Sequence, residues 1–146
     1  MRIDLWGKEI PEKMSGTKFE KIIAKKLKEQ GCQVAEQVYI GNKFRNKKHQ
    51  VDSLVNGKLL VSVKWQDTGG TAEEKVGYEM WTLNEKIKSG AYEKAFVIMG
   101  GPGWTIYENL QKMAKLFSKV TASRLLEIKN FSYCVLENSP VSLNSF

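Results

Sequence analysis

His49-Gln50-Val51-Asp52-Ser53-Leu54-Val55-Asn56-Gly57-Lys58-Leu59-Leu60-Val61-Ser62-Val63-Lys64-Trp65-Gln66 reads as two strands joined by a tight turn. Asn-Gly is the strongest short hairpin signal, because both residues tolerate the positive φ of the primed turns. The first of these strands runs from about Gln50 to Val55 and the next from Lys58 to Gln66. In the latter, Leu59, Val61, Val63 and Trp65 alternate with Leu60, Ser62, Lys64 and Gln66, so the first set shares one core-facing side. The other side carries Ser62, Lys64 and Gln66, with Asp52 on the neighbouring strand. Adjacent strands lie about 4.8 Å apart, which puts an acid and a lysine within reach of one metal ion or phosphate.

Upstream, Ser15 can cap a helix in which Phe19, Ile23 and Leu27 recur at helical spacing, and Gly31 is a natural stop. Val34, Val38 and Ile40 mark a preceding strand, ended by Gly41-Asn42. Residues 41–48 (Gly-Asn-Lys-Phe-Arg-Asn-Lys-Lys) then form a basic hairpin loop. Downstream, Asp67 to Gly70 is a turn, and Thr71-Ala72-Glu73-Glu74 has capping-box spacing at the head of a helix reaching about Ser89. Lys94 to Met99 is a continuous apolar strand of the kind buried on both faces in parallel sheets. Gly100-Gly101-Pro102-Gly103 turns into another helix, about Thr105 to Phe117. In the tail, Phe131 to Leu136 reads as a strand, and Thr121 to Ile128 fits either state. Residues 1–14 read as a loosely packed arm with Trp6 and Ile10 as anchors. The order αβββαβα predicts an α/β sandwich around a mixed central sheet.

The 146 residues suit one domain with a single core. Hydrophobic content of 42% with 27% charged residues describes a folded chain rather than a disordered one. No apolar run approaches a membrane span and the N-terminus lacks a signal-peptide core, so the expectation is a cytoplasmic protein with no membrane partner. Cys32 and Cys134 stand far apart without a CxxC pair, which favours reduced, buried thiols and argues against zinc. A net charge of +7, from 23 basic against 16 acidic residues, favours a polyanionic partner. The chain has no GxSxG elbow, Walker motif or HExxH, and GGPGW lacks the glycine spacing of a dinucleotide fingerprint.

Gly16-Thr17-Lys18-Phe19-Glu20 places an acid at the start of the first helix. Followed by Asp52 and by Val61-Ser62-Val63-Lys64, it gives the order helix acid, strand acid, strand lysine. Over roughly residues 15 to 105 this resembles the PD-(D/E)xK nuclease superfamily, which includes restriction endonucleases and archaeal Holliday-junction resolvases. The resemblance implies a restriction-endonuclease-like αβββαβ core with helices flanking a mixed sheet. It also implies a metal-dependent DNA endonuclease that hydrolyses phosphodiester bonds with Mg2+, for which Mn2+ substitutes. Asp52, Glu20 and the backbone carbonyl of Val63 would be the metal ligands. Lys64 would orient the attacking water or offset phosphate charge. Lys64-Trp65-Gln66, followed by Gly69-Gly70-Thr71-Ala72-Glu73-Glu74-Lys75, is similar to a phage and bacterial restriction-like subgroup in which the Gln is a site residue. That similarity adds Gln66 to the catalytic set.

One residue departs from the pattern. The resemblance calls for Glu at position 62, and the chain has Ser62. A hydroxyl lacks the carboxylate's charge and binds Mg2+ weakly. Three outcomes stay open: the metal rests on Asp52, Glu20 and the Val63 carbonyl with water filling in, another acid has moved into the site, or the enzyme is impaired. Glu73 and Glu74 are the candidates for such a move, although Glu74 also fits the capping box with Thr71. Arg45, Lys47, Lys48 and His49 are the expected phosphate contacts to DNA. The Gly101-Pro102-Gly103-Trp104 junction offers backbone amides at a helix start. The expected partner is duplex or branched DNA, and cutting both strands implies a homodimer with two sites about a twofold axis. Restriction-like or phage-type duplex cleavage stands ahead of junction resolution. The alternative from another class is a DNA-binding or assembly module that lost catalysis at Ser62.

Overall fold

The computed structural model describes residues 2–3, 9–10, 15–66, 72–101 and 103–124. In chain order the elements are β1 (Arg2–Ile3), β2 (Glu9–Ile10), α1 (Gly16–Glu29), β3 (Val34–Asn42), a 3-10 turn (Phe44–Asn46), β4 (Lys48–Val55), β5 (Leu59–Trp65), α2 (Ala72–Lys88), β6 (Lys94–Gly100), α3 (Tyr107–Lys115) and β7 (Val120–Arg124). Within the stretch expected to be a loose arm, β1 and β2 pair antiparallel. Residues 121–124, whose sequence fits either state, are strand. The expected 131–136 strand, Trp6, the 67–70 turn, Thr71 of the capping box and Cys134 lie outside the described residues.

The main sheet runs β3-β4-β5-β6-β7, antiparallel across β3, β4 and β5, and parallel across β5, β6 and β7. It is therefore a mixed sheet, with helices on both faces. The hairpin between β4 and β5 forms as its dipeptide dictates. Asn56 and Gly57 take φ of 53° and 71°, and the Lys58 amide donates to the Val55 carbonyl at 3.1 Å.

On one face, Phe19, Ile23 and Leu27 of α1 pack on Val55, Leu59, Val61, Val63, Phe96 and Ile98. The Ser15 hydroxyl accepts from the Lys18 amide at 3.2 Å and caps this helix. Phe19 meets Trp65 edge-on, with ring centroids 5.1 Å apart. A Cβ at Gly100 would come within 2.5 Å of the Phe19 ring, so helix and sheet close only over glycine there. Phe19→Ala is expected to cost about 3–5 kcal/mol through the cavity it leaves. Urea unfolding of the two proteins checks this, and a change below about 1 kcal/mol would contradict the packing.

On the other face, Val76, Met80, Leu83 and Ile87 of α2 and Leu110 and Ala114 of α3 cover Leu60, Ala95, Val97 and Met99. With both faces covered, β6 is buried from Ala95 to Gly100, as its uninterrupted apolar run requires. Cys32 is a free thiol buried beside α1, and burial pushes its pKa up. Among the described residues no helix is long and apolar enough to cross a membrane.

Candidate active site

The site lies where β4 and β5 part. The two strands pair only at Ser53–Val61, Leu54–Leu60 and Val55–Leu59. Before Ser53, β4 stays with β3; after Val61, β5 stays with β6. The gap leaves backbone groups of β5 without a strand partner, and burying them unpaired would be costly. Asp52 fills the role, its Oδ2 accepting the Val63 amide at 2.6 Å. A strand residue points its N–H and C=O to the same edge, so the Val63 carbonyl opens into the same gap.

Glu20 reaches this gap from α1. It shares a hydrogen bond with Asp52 and accepts another from Gln37 Nε2 at 2.8 Å. Gln37 lies between Glu36, paired with Ser53, and Val38, paired with Val51, so it stands across from Asp52. Its φ of 52° is in the left-handed region, where non-glycine residues carry strain that tends to gather at functional sites.

A third carboxylate arrives from α2. Glu79 is buried, accepts a hydrogen bond from the Ser62 hydroxyl, and has Oε1 3.5 Å from Nε2 of the more deeply buried His49. It lies close enough to Asp52 for the two charges to repel and close enough to Lys64 for attraction. The face that Ser62 leaves without an acid thus receives one from a helix.

The electrostatics separate these acids. Burial raises the Glu20 pKa, and the Asp52 charge and hydrogen bond raise it further, against Gln37 and Lys64. Asp52 is raised as well, chiefly by burial and then by Glu79. The Val63 amide, Lys64 and the Glu20 hydrogen bond only partly offset this. For Glu79 burial also pushes upward, but the His49 hydrogen bond, the Lys64 and His49 charges and the Ser62 hydrogen bond outweigh it, and its pKa falls. The Glu79 pKa is thus shifted down, while those of the hydrogen-bonded Glu20 and Asp52 are both shifted up. Among the described residues, no three His, Cys, Asp or Glu side chains are gathered into a ready-made metal cage.

The structure brings Glu20, Asp52, Ser62, Val63 and Lys64 together, and it moves other expected residues elsewhere. His49 is only 1% exposed, so it cannot be the surface phosphate contact expected of it; its ring faces Glu79 instead. Gln66 is buried, with Nε2 donating to the Gly103 carbonyl at 2.8 Å and its backbone bonded to Gly100 and Gly103. Through Nε2 it ties the end of β5 to Gly103, while its Oε1 is buried without a hydrogen-bond partner among the described residues. Gly101, at φ 96°, passes so close that a Cβ there would meet the Gln66 carbonyl at 2.3 Å. Glu73 is not in the site either. Its carboxylate accepts from the Thr105 hydroxyl at 2.7 Å, the Ile106 amide at 3.0 Å and the Thr105 amide, which lowers its pKa. The Thr105 and Ile106 amides before α3 are thereby taken, and in the Gly101–Trp104 junction expected to offer amides to phosphate the Gly103 amide donates to the Gln66 carbonyl at 2.9 Å. Glu74 is exposed on α2, and Arg45, Lys47 and Lys48 are exposed on the loop before β4 and at its start.

Two residues of the constellation, Glu79 and Gln37, are not among those the sequence motifs single out. A signal existed for Glu79: it stands three residues after Val76 and four before Leu83, inside the apolar stripe of α2, where a solvated acid has no place. Nothing in the sequence marks the left-handed φ at Gln37 within β3.

Among solved structures, the crystal structure of a protein of unknown function, AF1548, is similar at a TM-score of 0.53 and 15% identity. The alignment covers 77% of this chain and 65% of that one, so the chain spans just under two thirds of that protein's length. At this identity the likeness speaks for the fold. No curated protein matches the chain. A family model described as the PD-(D/E)XK nuclease superfamily domain matches residues 3–134. With that match over most of its length, and with the mixed sheet and flanking helices described above, the chain belongs to the PD-(D/E)XK nuclease superfamily.

Proposed function

We propose that the chain is a divalent-metal-dependent endodeoxyribonuclease whose third acid comes from α2. The observation that carries this reading is Glu79, buried beside Asp52 and Lys64 and bonded to Ser62 where the strand carboxylate is missing. The available donors are carboxylates and a carbonyl, the hard oxygen set that suits Mg2+ or Mn2+. Mg2+ commonly keeps several waters and takes one or two carboxylates plus phosphate oxygens, so it needs no preformed protein cage. Asp52, Glu79 and the Val63 carbonyl would hold it, with Glu20 at the margin. When bound, such an ion lowers the pKa of water and offsets charge on the phosphoryl oxygens.

The chain's own groups divide the remaining work. Lys64 places a positive charge amid the acids, where it orients the attacking water or meets phosphate charge as it builds. Asp52 bridges the parted strands at the Val63 amide and so fixes the Val63 backbone with its carbonyl toward the gap. Gln37 fixes Glu20. His49 and Ser62 keep Glu79 ionised and aimed at the site.

The exposed Arg45, Lys47 and Lys48 suit the DNA backbone. Replacing Lys47 and Lys48 by Gln is expected to weaken DNA binding across sequences. The slope of log affinity against log salt should flatten by roughly one unit for each phosphate no longer neutralised. An unchanged slope in a fluorescence titration would leave the loop as solvated surface. Cutting both strands of a duplex needs two sites, which a twofold homodimer would supply.

The test is a cleavage panel of supercoiled plasmid, linear duplex, single strand and four-way junction with Mg2+ or Mn2+. Metal-dependent cleavage is expected on at least one DNA substrate. Binding without cleavage of any member would favour the module that has lost catalysis.

A further inference from the structure

Two cavities, of about 510 Å³ and about 430 Å³, line up along α2 on the side of the basic loop. The first is lined by Lys43, Arg45, Lys47 and Tyr78; the second includes Lys43, Trp81 and Tyr92, so Lys43 joins them into one groove. Both volumes fall in the ~300–1,000 Å³ range of ligand sites. Tyr78 and Trp81 are 43% and 38% exposed and stand three residues apart on α2, which makes them neighbours on one helix face. The groove is lined from α2, which carries Glu79, and from the loop that enters β4, the strand that carries His49.

The loop side of the groove is a built feature. The Lys43 amide donates to the Lys47 carbonyl at 2.8 Å, closing the loop. Arg45 and Asn46 hold φ of 60° and 58°, in the left-handed region. Arginine seldom adopts this conformation, and such strain persists only where the surrounding structure enforces it. The result is a compact basic rim facing a row of aromatic rings.

Resting on the nuclease reading, we infer that this groove binds a single-stranded stretch of DNA leading into the site, with bases stacking on Tyr78 and Trp81 and phosphates meeting Lys43, Arg45 and Lys47. Rings beside a cationic track serve single strands because every base has a stackable face once it leaves the duplex. A paired duplex keeps those faces inside its own stack and would use only the cations. The preferred substrate class is therefore DNA with an unpaired strand, such as a flap, fork or splayed junction, rather than uninterrupted duplex. Glu85 at the far end of the groove has an exposed carboxylate 3.4 Å from the Lys88 ammonium, which moderates its opposition to phosphate.

The experiment measures anisotropy of labelled oligothymidine, a forked duplex and a blunt duplex with the full chain in EDTA, so cleavage plays no part. Tyr78→Ala and Trp81→Ala should each weaken oligothymidine and fork binding about tenfold, while blunt-duplex binding changes less than about twofold. Trp81→Phe should retain most of the single-strand affinity. Oligothymidine should quench the wild-type tryptophan fluorescence and quench Trp81→Phe distinctly less, a readout that does not depend on how well an alanine variant folds. Equal losses on all three DNAs, no loss on any, or quenching unchanged in Trp81→Phe would overturn the inference. A change of oligomeric state in these variants with single-strand binding intact would also overturn it, assigning the face to self-association. Because binding is read without metal, a groove that fails leaves plasmid cleavage untouched, and a catalytic site that fails leaves aromatic-dependent single-strand binding in place.

Discussion

Glu79→Gln is expected to lower metal-dependent cleavage by about a hundredfold or more, the upper end of what even groups one step removed from a metal contribute. The variant keeps the shape and hydrogen-bonding capacity of the side chain, so the loss would come from its charge. Its folding should survive, because Gln can still bond to Ser62 and His49 and removes a charge from a buried position. The second half of the test moves the acid back to the strand. Ser62→Glu alone places two carboxylates on one face with Asp52 beside them, and it should be neutral or harmful. Ser62→Glu combined with Glu79→Gln restores one carboxylate there and should recover at least about tenfold over Glu79→Gln. Cleavage rates at fixed Mg2+ decide it. Near-native turnover in Glu79→Gln, or a clear gain in Ser62→Glu alone, would show that Glu79 is not the replacement acid.

Asp52→Asn and Lys64→Ala are each expected to lose about 10²–10³-fold in cleavage, the scale on which removal of one preorganised charge-stabilising group is felt. DNA affinity should change little, since neither residue lies on the exposed basic loop. Asp52→Asn carries a second signature. Its carboxyl pKa is raised in the fold, mainly by burial and further by Glu79. The folded state therefore holds that proton more tightly than the unfolded chain, and folding loses stability as pH rises from the ordinary aspartate range through the raised value. At neutral pH the wild type bears that loss and the amide does not, while the Asn oxygen can still accept the Val63 amide. The variant should melt higher than the wild type at pH 7, with the difference closing toward acid. By the same shift, wild-type activity should fall on acidification at a pH above that of an ordinary aspartate. A lower melting temperature for Asp52→Asn at pH 7 would make Asp52 a purely structural bridge.

Local rules govern the features that were legible in the sequence. Asn56-Gly57 fixes a turn, the alternation from Leu59 to Trp65 fixes a strand with two faces, and the apolar run from Ala95 to Met99 demands cover on both sides. Asp52 and Lys64 could be paired from sequence because a short hairpin carries both. The departures arise where tertiary contact decides. His49 follows two lysines and looks like part of a surface loop, yet the strand alternation turns it inward to Glu79. Gln66 continues the Ser62–Lys64 face on paper, but β5 ends at Trp65 and the Gly100–Gly103 turn captures the next side chain. Glu73 is a candidate for the site by its nearness to Ser62 in sequence; in space it caps the start of α3. The acid that does arrive comes from an inward position of α2, which sequence proximity to the strand could not select.

The most direct test is incubation of supercoiled plasmid with the wild-type chain in Mg2+, beside parallel reactions in EDTA and with Asp52→Asn. Nicked or linear product is expected in the first reaction and intact plasmid in the other two. Intact plasmid in all three, with Mn2+ also failing and with single-stranded, forked and four-way-junction DNA also uncut, or cleavage that persists in EDTA or in Asp52→Asn, would contradict a metal-dependent nuclease site built on Asp52.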